Sequence, residues 1–288
     1  ATKNPDIAHI GMVTGASWSD IDGDGQKDLI IAGEWMAPRI FSYRHDHFVE
    51  IKTNLQNHFG WWESVAIADL NGDGKPDLIL GNIGENFYLH PDSVNPVKLW
   101  VNDYDANGNV DNILTRTIDG KDMPVFLKRA MEIQIPSLKK QNLKHADYAK
   151  KTIQDLFSPA LLASSLVKKF NYCSSIVAFN EGGGKFRIQP LPQMLQFSSV
   201  NAIRCLDLNQ DGNTDLVLGG NEFGFLPQFG RLDASFGNVL INDGKGNFSC
   251  PGMDRTGLYI PGQTRDIALI KSKGRTAVLF LVNDDFPV

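Results

Sequence analysis

The chain has little that reads as catalytic chemistry. Its three cysteines, Cys173, Cys205 and Cys250, are an odd number in 288 residues and have no CxxC spacing. That excludes a redox motif and a cysteine metal knuckle and leaves room for at most one structural disulfide. No apolar run reaches the roughly 18 residues that a membrane helix needs, so no transmembrane segment is expected. There is no GxSxG elbow and no HExxH pair. Gly182-Gly183-Gly184-Lys185 is followed by Phe186 rather than Ser or Thr, so it is not a phosphate loop. His9, His45, His47, His58, His90 and His145 are scattered and read as turn or core residues, not as metal ligands or general bases. A formal charge of -5 argues against nucleic acid as a partner. The opening Ala1-Thr2-Lys3-Asn4 has neither Met nor a signal peptide and reads as a processed or trimmed start.

What is abundant is aspartate beside glycine. Asp20-Ile21-Asp22-Gly23-Asp24-Gly25-Gln26-Lys27-Asp28 recurs in altered form at 69–77, 103–111 and 207–215. Oxygen-bearing side chains stand at positions 1, 3, 5 and 9 of each copy, with glycine at position 6. This is the pattern of a calcium loop, in which alternate hard oxygens wrap the ion, a backbone carbonyl at position 7 adds to them, and glycine permits the sharp turn. Loop 1 offers Asp20, Asp22, Asp24 and Asp28 with the carbonyl of Gln26, and loop 2 offers Asp69, Asn71, Asp73 and Asp77 with Lys75. Loop 3 offers Asp103, Asp105, Asn107 and Asp111 with Asn109, and loop 4 offers Asp207, Asn209, Asp211 and Asp215 with Asn213. Polar turns also favour Asp, Asn and Gly, but a fourfold repeat in one phase points to Ca2+, up to four ions. Four ions would move the formal charge from -5 to +3.

Short apolar runs follow the loops: Leu29-Ile30-Ile31-Ala32-Gly33, Leu78-Ile79-Leu80-Gly81-Asn82 and Leu216-Val217-Leu218-Gly219-Gly220. These are strands. A helix-flanked calcium loop would carry an acid at position 12, where this chain has Ile31, Leu80, Leu114 and Leu218. Outer hairpins are expected at Ile176–Phe179 with Phe186–Ile188 and at Val239–Asn242 with Phe248. The first two loops start 49 residues apart, the length of a four-stranded propeller blade. A last unit, Ile267–Ile270 and Thr276–Val282, lacks the acids and is expected to bind no calcium. Residues 136–170 break the pattern: Leu143, Ile153, Leu156, Phe157, Leu161, Leu162 and Leu166 recur at helical spacing, with Ser158-Pro159 as a cap. A two-helix insertion is expected there. Its Lys139, Lys140, Lys144, Lys150, Lys151, Lys168 and Lys169 read as a solvated face or as a docking patch for an acidic partner or membrane surface.

The loops between strands resemble the FG-GAP/VCBS repeats of calcium-binding β-propellers, such as integrin α-subunit heads and the UnbV-like proteins. Gly33-Glu34-Trp35-Met36, Gly60-Trp61-Trp62-Glu63, Gly81-Asn82-Ile83-Gly84-Glu85-Asn86 and the stretch from Gly219 to Gly237 are similar to large VCBS-repeat proteins of Bacteroidota. The resemblance implies an all-β fold: residues 1–288 as a single β-propeller, or the C-terminal part of one completed by a missing segment of a longer chain. It also implies an extracytoplasmic place at the cell surface, outer membrane or periplasm.

The expected function is a non-catalytic, calcium-stabilised binding and assembly module with an envelope or surface protein partner. The alternatives are a carbohydrate-binding module and a calcium-dependent polysaccharide-degrading enzyme, with a glycan as ligand or substrate. Trp35, Phe59, Trp61, Trp62, Phe223, Phe225 and Phe229 sit near glycines at strand ends, where rings pack between blades or stack on a sugar. No residue is assigned a catalytic role.

Overall fold

Each apolar run behind a loop is too short for a helix and rich in branched side chains, and β2, β6 and β14 form from these runs as largely buried strands. The computed structural model describes residues 3–141, 144–272 and 274–288. The chain makes β1 (Met12–Ser19), loop 1, β2 (Asp28–Met36), β3 (Arg39–Arg44) and β4 (His47–Ile51), each strand antiparallel to the one before. A second four-stranded blade, bonded to the first where Glu34 and Met36 of β2 pair with Trp61 and Gly60, starts the same way with β5 (Gly60–Ala68), loop 2 and β6 (Asp77–Asn82); each blade is called a sheet below. Then it is interrupted by β7 (Val97–Asn102), loop 3, β8 (Asp111–Ile118), β9 (Lys121–Pro124), a run of short helices and β10 (Leu166–Phe170). Only afterwards do β11 (Ile176–Gly182) and β12 (Lys185–Pro190) complete the second sheet beside β6. The third sheet is β13 (Val200–Leu206), loop 4, β14 (Asp215–Gly220), β15 (Asn238–Asn242) and β16 (Phe248–Ser249), followed by the pair β17 (Thr264–Ser272) and β18 (Arg275–Val282). The chain is therefore all-β, and among the described residues the strand order of a propeller blade is made three times in full and once as its first two strands.

The chain divides into two compact units, Ala1–His90 with Cys173–Val288, and Pro91–Tyr172. In the first, β1, β5, β13 and β17 are neighbours in turn. Apolar layers fill the space between consecutive sheets: Ile79, Val177 and Phe179 meet Leu216, Leu218 and Leu240, and Ala202 and Val217 meet Ile267 and Phe280. The side chains that drive folding are these inter-sheet layers, which remove apolar surface from water.

Residues 91–172 are wider than the insertion expected at 136–170, because the sheet β10-β7-β8-β9 belongs to them. The two expected helices are instead several short ones, Lys128–Gln134, His145–Tyr148, Ile153–Leu156 and Pro159–Ala163, with a 3-10 turn at Pro136–Gln141. The sequence breaks them repeatedly. Pro136 holds Ile135 out of the helical region, Thr152 starts a new helix with a capping box to Asp155, and Ser158 caps the turn that Pro159 opens. Leu166–Phe170, expected as helix, is a strand paired with β7, and Phe170 is fully buried. Leu143 lies outside the described residues. Within this unit Trp100, Ile113, Met131, Ile135 and Ile153 form a separate core.

Strand-ending glycines have a steric reason. A Cβ on Gly81 would lie 2.0 Å from the carbonyl oxygen of Val200, and one on Gly220 would lie 1.7 Å from that of Ser199. Both strands approach too closely for any side chain. Gly220→Ala should therefore destabilise the protein by about 1–3 kcal/mol or more through overpacking, measured by urea unfolding; wild-type stability in that variant would contradict the packing account.

Candidate metal loops and a buried acid cluster

The four loops share one backbone. Glycine at position 6 is left-handed throughout, with φ of 85°, 82°, 85° and 88° at Gly25, Gly74, Gly108 and Gly212. Position 4 is left-handed too, filled by Gly23 and Gly72 but also by Ala106 (57°) and Gln210 (61°), which bear a local cost that glycine avoids. The position-1 carboxylates of Asp20, Asp69, Asp103 and Asp207 accept the position-6 N–H at 2.8–3.0 Å. Position 5 accepts the position-7 N–H, donated by Gln26, Lys75, Asn109 and Asn213 to Asp24, Asp73, Asn107 and Asp211. Position 9 closes each loop: Asp28, Asp77, Asp111 and Asp215 accept the N–H of Ile21, Leu70, Tyr104 and Leu208, each at 2.9 Å. At position 3, Asp22, Asn71 and Asn209 accept the N–H two residues on.

These bonds turn the side-chain oxygens inward while leaving lone pairs for a further ligand. Carboxylate oxygens of Asp20, Asp22 and Asp28 lie within 4.8 Å of one another, as do those of Asp103, Asp105 and Asp111. Two of these oxygens, Asp28 Oδ1 and Asp105 Oδ1, are buried without a hydrogen-bond partner. Burial raises the carboxyls of Asp28, Asp77 and Asp111 above their ordinary range, whereas the backbone N–H groups of Lys75 and Asn213 lower those of Asp73 and Asp211. Converging hard oxygens with uncompensated buried charge suit a hard divalent cation. Loops 2 and 4 share the hydrogen-bond pattern, with asparagine at position 3. Beside loop 1, Arg44 pairs with Asp22 at 2.5 Å and with Asp24 at 3.7 Å, so a cation there competes with a guanidinium.

At the opposite end of the first strands lies a cluster that sequence spacing did not reveal. In β1, β5, β13 and β17 the register shifts at the same place, around Thr14, Glu63, Asn201 and Arg265. Glu63 is close enough to Glu34 and Glu222 to feel both. Burial first, then those two carboxylates, push its carboxyl up to about 8, with Arg265 opposing. Glu222 is held by the N–H of Gly224 and the amide of Gln263, each at 2.8 Å, and by Arg265 at 3.8 Å. Trp35, itself at a left-handed φ of 58°, packs edge-on against Trp61 at 5.1 Å beside this cluster.

Residues 20–80 match the FG-GAP-like repeat family. The match runs from loop 1 through loop 2 and covers less than half of the chain. Among solved structures, an exotype rhamnogalacturonan lyase, YesX, is similar at 15% identity with a TM-score of 0.31, over 95% of this chain and 45% of that one. This chain thus spans under half of that protein's length. No curated protein matches it.

The aromatic residues noted in the sequence mostly pack on one another. Trp62 is fully buried with its indole N–H on the carbonyl of His58, Trp61 lies 5.1 Å from Phe87, and Phe229 stacks on Tyr88 at 4.2 Å. Gly230-Arg231-Leu232-Asp233 is a turn in which Arg231 pairs with Asp233 at 3.0 Å and Leu232 is buried. The cysteines are unpaired, and burial raises their thiols, those of Cys173 and Cys205 to about 12 and about 11. His45 and Asp46 form the left-handed centre of the β3–β4 hairpin turn. No helix among the described residues is long and apolar enough to cross a membrane.

Glu63 makes a pH prediction. Its folded carboxyl holds a proton far above the ordinary 4.5, so folding stability falls as pH rises from about 4.5 through about 8 and levels off beyond. Glu63→Gln, which fixes the neutral form, should unfold at nearly the wild-type temperature at pH 4.5 and at a higher one at pH 9. A constant difference between the two proteins would show that burial does not hold this proton.

Proposed function

We propose that the chain is a calcium-stabilised propeller segment that serves as a non-catalytic binding and assembly module of an exported cell-envelope protein. The observation that carries the reading is the identical closure of four separate loops by a position-9 aspartate around inward-turned oxygens. Ca2+ binding to these loops and hardly to the unfolded chain stabilises the fold by mass action, by about 2.7 kcal/mol per site at a hundredfold excess over Kd. Extracellular calcium modules fill at roughly 0.1–1 mM, which favours an exported protein over a cytosolic one. The closer assignment to UnbV-like VCBS-repeat proteins, completion of the blade set by a longer chain, and an envelope or surface protein partner belong to this same reading.

A second reading draws on the Glu34, Glu63 and Glu222 cluster. A carboxyl that burial keeps protonated, with further carboxyl groups beside it, is the kind of site that acid–base chemistry on a glycosidic bond uses, and it supports a polysaccharide-degrading enzyme or glycan binder. Release of reducing ends from a polysaccharide panel, lost in Glu63→Gln, would favour that enzyme. The assembly reading is tested by affinity capture from the envelope fraction in millimolar calcium with EGTA elution: a stoichiometric partner supports it, and an eluate without protein refutes it.

Calcium itself is tested without a partner. EGTA should lower Tm by many degrees and excess Ca2+ should restore it. Asp24→Ala should reduce the calcium-dependent part more than Asn209→Ala, since an ionised ligand attracts the ion more strongly. An unchanged melt in EGTA would refute structural calcium.

A further inference from the structure

Loops 1, 2 and 4 are joined by two buried asparagines. Asn180 ends the straight part of β11 and Asn242 ends β15, and they occupy the same register: Ala178 pairs with Leu78 and Leu240 with Leu216, each two residues before the asparagine. Both are almost fully buried, at 2% and 1% exposure. The backbone N–H of Asn180 donates to Asp77 Oδ1 at 2.8 Å, and its Nδ2 donates to the carbonyl of Ile21 in loop 1 at 2.9 Å. The backbone N–H of Asn242 donates to Asp215 Oδ1 at 2.9 Å, and its Nδ2 donates to the carbonyl of Leu70 in loop 2 at 2.8 Å. Each asparagine thus holds the closing aspartate of its own sheet's loop and reaches across to the preceding sheet's loop.

The residues reached are themselves bonded to closing aspartates. Ile21 donates its N–H to Asp28, and Leu70 donates its N–H to Asp77. A continuous buried path therefore runs from Asp28 through Ile21, Asn180, Asp77, Leu70 and Asn242 to Asp215. Asparagine suits the task because Oδ1 is occupied by the turn behind it, accepting from Gly182, or from Gly244 and Gly246, which leaves Nδ2 aimed at the neighbour. At the matching position of the first sheet stands Tyr43, and there Asp28 Oδ1 has no partner. The path ends at loop 1, and loop 3 stands outside it.

We infer that Asn180 and Asn242 are positioning residues that couple calcium occupancy of loops 1, 2 and 4, so that filling one loop fixes the closing aspartate and carbonyl of the next. The inference rests on the calcium reading of these loops. A charged ligand drawing on Asp215 restrains Asn242, which restrains Leu70 and the N–H that Asp77 needs; ordering one site lowers the ordering cost of the next.

The test is hydrogen–deuterium exchange of the whole chain read by mass spectrometry on peptides covering each loop, with Ca2+ as the titrant. Asp211→Ala, which disables loop 4, should raise the calcium midpoint at loop 2 by roughly three- to tenfold, the reach of one net hydrogen bond, and leave loop 3 where it was. Asn242→Ser, which keeps a turn acceptor but cannot reach Leu70, should abolish that dependence while loop 2 still binds. If Asn242→Ser does not fold, Asn180→Ser with Asp73→Ala, read at loop 1, tests the same link one sheet along. An unshifted loop 2 midpoint in Asp211→Ala overturns the coupling while leaving calcium binding intact. Absence of calcium-dependent protection in every loop overturns the calcium reading and the coupling with it.

Discussion

The closing aspartate of each loop is the contact on which the rest depends. It begins the second strand of its sheet, is buried or nearly so at Asp28, Asp77, Asp111 and Asp215, and reaches back across the loop to one backbone N–H at 2.9 Å. A buried carboxylate is expensive unless it is bonded or paired. Two of the four, Asp77 and Asp215, offset that cost with a second N–H from an asparagine of their own sheet. What no backbone group supplies is positive charge, and that deficit is the physical case for a cation in the loops.

From this contact the sheets follow. The loop fixes the register of first against second strand, and the second strands, buried on both faces, carry the apolar layers between sheets. The close approach of the first strand to the strand-ending glycine is then forced at the other end, where Gly81 and Gly220 leave no space for a Cβ. The same register shift recurs at Thr14, Glu63, Asn201 and Arg265, so the strands that lead into loops 1, 2 and 4 carry an acidic loop at one end and approach the Glu34, Glu63 and Glu222 cluster at the other.

Much of this was legible in the sequence. The loops announce themselves by the phase of Asp, Asn and Gly, and Leu29–Gly33, Leu78–Asn82 and Leu216–Gly220 read as strands because branched apolar residues fill runs too short for a helix. Which strands share a sheet was not legible at β11 and β12, since residues 91–172 separate them from β6. Leu166 continues the apolar spacing of Leu161 and Leu162 in sequence, but the helix that Pro159 opens ends at Ala163 and Leu166 pairs with β7 instead. Glu34, Glu63, Glu222 and Arg265 share no sequence pattern at all; only register brings them together. The asparagine path had a faint signal, the shared Asn at the end of Val177-Ala178-Phe179-Asn180 and Leu240-Ile241-Asn242, but its meaning needs the neighbouring sheet.

The central claim, that these loops are filled by calcium, is measured most directly by bound-metal stoichiometry. Equilibrium dialysis of the intact chain against millimolar Ca2+, with metal quantified by atomic emission, should find up to four ions per chain, and fewer by one in Asp20→Ala. A chain that retains no calcium above the dialysis buffer would contradict the account.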